Sequence, residues 1–155
     1  MRRGVARGMG GRMGTRTRAP LWYRILVIAL VGWALLAAQA GVRQIMGGAA
    51  AVGAPGSYDR AVFAALPGWY LLDHAIAVAA TLLGAVALFA RSRHAVPLLT
   101  VALVAAMIRS GWLFAMTDIL AVRGPFVLLF PLLVLAVSAL ALQLAHLARR
   151  RGWIA

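Results

Sequence analysis

The chain has 155 residues, 64% of them apolar, against roughly 45–50% in a soluble globular domain, so water is not its main solvent. It holds 16 Arg, no Lys and only Asp59, Asp73 and Asp118 as acids, for a net charge of +13. The absence of Cys excludes disulfides, thiolate zinc sites and cysteine nucleophiles.

On a soluble surface such a charge would point to nucleic acid. Here seven Arg lie within 2–24 and three more at 149–151, flanking apolar segments. That is the distribution of membrane topology, and it makes the lipid bilayer, not nucleic acid, the expected partner.

Residues 1–20 contain six Arg and five Gly with almost nothing to bury, and are expected to form a disordered basic tail. Met9 and Met13 could each begin the chain without disturbing an apolar segment, and Arg2-Arg3 lacks the surroundings of a twin-arginine signal. Four apolar stretches follow, at 21–40, 69–90, 96–117 and 126–147. Each has about the 20 residues that a helix needs to cross ~30 Å of hydrocarbon. Lipid cannot satisfy a backbone donor, so each span is expected to be helical. The first stretch has a rival reading. Ile25 to Ala38, behind a basic region and ahead of Ala38-Gln39-Ala40, has the form of a cleavable signal peptide, whose removal would leave three spans. An apolar length counted from Leu21 favours retention as a span.

The segment 41–68 is the one sizeable loop. Gly47-Gly48 and Gly53-Ala54-Pro55-Gly56 break any helix, Ser57 has the chemistry of an N-cap, and Pro67-Gly68 forms a stop. Between these, Tyr58, Val62, Phe63 and Leu66 recur at helical spacing and predict a short helix lying on the membrane surface or capping the bundle. The last span carries Pro131, which kinks it or shifts its start. The chain closes on a basic tail over 149–155.

A cytoplasmic N-terminus places twelve Arg inside (tail, Arg91-Ser92-Arg93 turn and Arg149-Arg150-Arg151) and leaves Arg43, Arg60 and Arg123 outside. The positive-inside bias selects that orientation. The expected fold is therefore an all-α membrane protein, an antiparallel bundle of four transmembrane helices with both termini cytoplasmic, in a bacterial inner membrane. Trp22, Tyr23, Trp69, Tyr70 and Trp153 fall near span ends, where amphipathic rings anchor in the headgroup layer.

Polar residues within a span are the informative ones, because a charge at mid-bilayer costs at least ~2.5 kcal/mol unless paired or hydrated. Asp73 lies ~6 Å below Trp69 and Arg109 ~12 Å below Thr117, both in the outer half. The short turn at 91–95 makes the second and third spans neighbours, so Arg109 can reach Asp73. One face of the second span carries Asp73, Ala77, Ala80, Thr81 and Gly84, and one face of the third carries Ala102, Ala105, Ala106 and Arg109. Small residues on both faces permit close approach. Three readings of Asp73 and Arg109 stay open: a fold-fixing ion pair, a polar site for a solute, proton or ion, and contact of Arg109 with lipid headgroups. His74 adjoins Asp73, but neighbours on a helix point ~100° apart. His94 and His146 lie a membrane away from His74, so no metal site is expected, and no cofactor. Ser110, Thr117 and Ser138 are expected to bond the carbonyl one turn back. No phosphate loop, nucleophile elbow or carboxylate pair occurs, so the chain is expected not to be an enzyme.

At Leu66-Pro67-Gly68-Trp69, Arg91-Ser92-Arg93-His94-Ala95-Val96 and Arg149-Arg150-Arg151, the chain resembles a family of small bacterial four-helix membrane proteins, many labelled automatically as sugar transporters. The resemblance covers about 24–152. His94 stands where the family has an aromatic residue, and polar residues of the family's first span are represented here by Gln39 alone. Two functions follow as expectations. The first is a non-catalytic accessory or structural membrane component, alone or within a homo-oligomer or larger complex. The second is an oligomeric transporter of a small solute such as a sugar, for which Asp73, His74, Arg109, Trp112 and Gln39 are the candidate binding residues.

Overall fold

A computed structural model of the chain describes residues 19–154. The tail expected to be disordered lies outside the described residues, except for Ala19 and Pro20. Six α-helices follow: α1 (Leu21–Gly47), α2 (Tyr58–Ala64), α3 (Gly68–Phe89), α4 (Ala95–Met116), α5 (Ile119–Arg123) and α6 (Leu129–Arg150). No strand occurs among the described residues. The helices α1, α3, α4 and α6 are long and apolar enough to cross a membrane. Large apolar side chains such as Leu21, Phe89 and Phe130 are exposed along them, an arrangement compatible with lipid around the helices.

The start of α3 and both ends of α4 fall within one residue of the expected spans, but α1 does not end at residue 40. It runs 27 residues, ~40 Å against ~33 Å for a 22-residue helix. Gly41 is carried inside it, because a single Gly costs a helix only about 1 kcal/mol and good helix formers follow. The break comes at Gly48, whose φ of 52° suits only glycine. The short surface helix forms as α2, with Ser57 Oγ accepting from the Arg60 amide at 3.4 Å. Pro97 and Pro131 both occupy the first turn of their helices, where a missing N–H breaks no bond. A 3₁₀ turn at Pro125–Leu128 leads into α6, so Pro131 accompanies a shifted start.

The central pair is α3 and α4, in contact along their small-residue faces: Ala77, Ala80 and Gly84 on one, Ala102, Ala105 and Ala106 on the other, all buried. A Cβ on Gly84 would meet Leu99 Cδ2 at 2.7 Å, so glycine is what permits the approach. Helix α1 packs on α3 and α6 on α4, while α1 and α6 make no comparable contact.

Core packing is concentrated at one end. Val27, Leu30, Ala34, Leu88, Ala95 and Leu99 form a single buried cluster with Ala141, Ala145 and Ala148 of α6. Both α3 and α6 end there in the same joint. The amides of Arg91 and Ser92 return to the carbonyls of Leu88 and Ala87, and those of Gly152 and Trp153 to the carbonyls of Arg149 and Ala148. This is the Schellman pattern, in which one residue adopts left-handed φ. That residue is Gly152 (68°) in one joint and Arg91 (56°) in the other. The joint at the end of α6 turns Trp153 and Ile154 back into the core, where Trp153 lies edge-on to Trp22 and Tyr23 with ring centroids 5.7 and 5.2 Å away. Over 149–154 the chain is thus a helix end and a buried hook, and Trp153 packs inside rather than serving only as a headgroup anchor. Tyr23 is also buried and donates from its hydroxyl to the Leu88 carbonyl at 3.3 Å.

Candidate functional site

The other end of the bundle is not filled. A cavity of about 440 Å³ opens among α1, α3, α4 and α6, within the roughly 300–1,000 Å³ of small-ligand sites. Its wall is mostly apolar, with a polar group set on the central pair: His74 and Tyr70 from α3, Arg109 and Ser110 from α4. Helix α1 adds Trp33 and Gln44, and α6 adds Phe130 and Val134.

Arg109 and His74 are brought together across the α3–α4 interface, Arg109 Nη1 donating to His74 Nδ1. A guanidinium has no acceptor, so Nδ1 must be unprotonated and a neutral ring carries its proton on Nε2. That Nε2 is buried without a partner. It lies 3.3 Å from the point where a Cβ on Gly41 would stand, with Val78 Cγ2 at 3.2 Å from the same point. Glycine at 41 therefore lets α1 come close over the imidazole.

The expected Asp73–Arg109 pair does not form. Among the described residues the one ion pair joins Arg123 to Asp59, and Asp73 Oδ2 is buried without a hydrogen-bond partner, outside the cavity wall. Of two adjacent residues on α3, it is His74 whose direction from the helix axis meets Arg109. Trp112 is also outside the wall, packed against Trp69 and Tyr70 with centroids 5.6 and 5.5 Å apart. Gln39 is exposed and outside this wall, so of the five candidates only His74 and Arg109 belong to the cavity.

Gln44 is the polar contributor from α1 that the sequence reading missed. The signal was present: Trp33, Ala37, Ala40, Gly41 and Gln44 recur at helical spacing and all line the cavity, but a loop assigned from residue 41 cut the face short. Thr117 and Ser138 do bond the carbonyls of Leu113 and Val134 one turn back, at 2.6 and 2.8 Å. Ser110 makes no such bond, which leaves its hydroxyl for the cavity. No cluster of three metal-ligating side chains occurs among the described residues.

Outside the spans, α2 and α5 are clasped by two side-chain contacts. The Tyr58 hydroxyl donates to Asp118 Oδ1, and Arg123 pairs with Asp59. The bond to Asp118, which leaves with the phenolic proton, pushes Tyr58 up to about 12 from the usual 10.

Comparison with protein-family models, curated proteins and solved structures returns no match for this chain.

Proposed function

We propose that the chain is a non-catalytic component of the bacterial cytoplasmic membrane, an antiparallel bundle of four spans with both termini cytoplasmic, whose outer cavity receives a small ligand without transforming it. The observation that carries this reading is the division of the bundle into a filled end and a cavity end. Leu30, Ala34, Leu88 and Leu99 are all buried at the filled end, so a blind recess suits holding better than passage through one chain. Antiparallel packing is supported by Tyr23, near the start of α1, touching Leu88 near the end of α3, while Gly41 meets His74 at their other ends. The orientation is supported by the gathering of Tyr23, Ala95 and Trp153 in one cluster. These residues adjoin the three Arg-rich segments, which the positive-inside bias assigns to the cytoplasm.

A fluorescent reporter joined through a linker after Ala155 should glow in the cytoplasm, and an alkaline phosphatase fusion there should be inactive; active phosphatase would reverse the orientation. The second reading, an oligomeric transporter of a small solute such as a sugar, as the family resemblance implies, is favoured by one observation. Gln44, Ser110 and Tyr70 join His74 and Arg109 around the cavity and make a richer hydrogen-bonding set than the sequence reading allowed. Particle size in detergent together with counterflow uptake of labelled sugars in vesicles separates the two. A monomer without saturable uptake supports a holding component, and an oligomer whose uptake is lost in Arg109→Leu supports transport.

A further inference from the structure

The chemistry of the cavity wall restricts what it can hold. Its charged group is the Arg109 guanidinium, which spends one N–H on His74 and has four others, while His74 Nε2 is buried beneath α1. No carboxylate lines the wall, because Asp73 lies outside it and Asp59 and Asp118 belong to the clasp. A cation in an apolar recess with surplus donors is complemented by a group that brings negative charge and acceptors only.

The wall also restricts the route. Arg109 and His74 stand on the central pair, whereas α1 and α6, which flank that pair without packing on each other, form the two sides of the recess. Leu36 on α1 and Phe130 on α6 line the cavity and yet are 66% and 67% exposed, so they are its lips. Both lips are apolar and belong to helices long and apolar enough to cross a membrane. An opening of that kind faces hydrocarbon, which admits an alkyl chain and excludes a hydrated ion.

We infer that the cavity takes an anionic amphiphile from the bilayer, entering sideways between α1 and α6, with its headgroup oxygens on Arg109 and its alkyl chain leaving past Leu36 and Phe130. The inference rests on the holding role proposed above and adds the ligand class and the path. A carboxylate or phosphate headgroup accepts from the remaining N–H groups of the guanidinium, which His74 holds in place by accepting from one of them. Gly41 lets α1 cover the imidazole, which leaves the headgroup to Arg109.

The test is photolabelling of the purified full chain in nanodiscs with palmitate carrying a mid-chain diazirine, followed by mapping of the labelled residues. Labelling concentrated on Trp33, Leu36, Phe130 and Val134, suppressed at least tenfold by excess palmitate but not by hexadecanol, acetate or inorganic phosphate, is the expected result. Arg109→Leu should abolish that labelling and Arg109→Lys should keep much of it. Should Arg109→Leu fail to fold, Ala40→Trp, which fills the recess from α1 with Arg109 intact, should do the same. Equal competition by hexadecanol would overturn the anionic class while leaving the holding role in place. Competition by acetate or phosphate would overturn the lateral route in favour of a soluble anion. Label spread evenly over all lipid-facing surfaces, with none suppressed by palmitate, would overturn the inference and the holding role together.

Discussion

Arg109 meets His74 and not its neighbour Asp73, and this sets the energetics of the three residues apart. Removing either member of the bonded pair strands a polar group in a partly buried setting, so Arg109→Leu and His74→Leu should each lose about 1–3 kcal/mol. The double variant should lose less than their sum. Asp73→Asn should leave the thermal midpoint in detergent unchanged or raised, since the carboxylate it replaces already has a buried oxygen without a partner. A loss matching that of Arg109→Leu would place the guanidinium on Asp73 instead. The sequence placed these residues in the same outer half, because depth follows from counting at ~1.5 Å per residue. It could not show which of two adjacent side chains turns toward α4, because that depends on helix rotation and tilt, which packing decides. Tyr58 supplies a second check. Its hydroxyl is held to about 12 chiefly by Asp118, so Asp118→Asn should return its absorbance titration toward 10. With the folded value raised, the bond's contribution is complete below pH 10 and fades as pH climbs through about 12. An unchanged titration in Asp118→Asn would show that the clasp does not exist in solution.

Between elements, α3 and α4 approach closely at Gly84. A methyl there would lie 2.7–2.8 Å from the Leu99 side chain and 3.4 Å from its backbone nitrogen. Gly84→Ala should therefore lose about 1–3 kcal/mol through overpacking, and Leu99→Ala in the same chain should recover part of it. Unfolding by denaturing detergent measures both, and a neutral Gly84→Ala would mean that the helices sit farther apart. This interface was legible in advance, because small residues at i, i+3 and i+4 on two apolar helices have one common use in lipid. The far end of α1 was hidden, since a Gly within a run of apolar residues reads as an end when it is only a point of close contact. Helix α5, at five residues, is too short to leave a periodic trace, and its clasp to α2 depends on side chains about sixty positions apart in sequence.

For the molecule as a whole, α1 and α6 meet through the hook formed by Trp153 and Ile154 instead of along their lengths. Trp153→Ala should thus behave as a core truncation, losing about 3 kcal/mol or more, where a headgroup anchor would lose far less; a thermal melt in detergent distinguishes them. Four spans were readable from length and hydropathy alone. The uneven filling was not, because apolar faces on every side look alike in sequence whether they meet lipid, a neighbouring helix or a cavity. The two matching joints at the filled end carry one more consequence. At the end of α6 the left-handed position is Gly152, but at the end of α3 it is Arg91, where a side chain costs about 1 kcal/mol. Arg91→Gly should then melt higher while weakening the charge bias that directs the α3–α4 turn to the proposed cytoplasmic face. Insertion happens once, during synthesis, whereas the strained turn lasts as long as the protein does. A sequence chosen for melting temperature alone would carry glycine at both joints; on the proposed orientation, Arg91 trades a less strained turn for a charge that holds that turn on the cytoplasmic side.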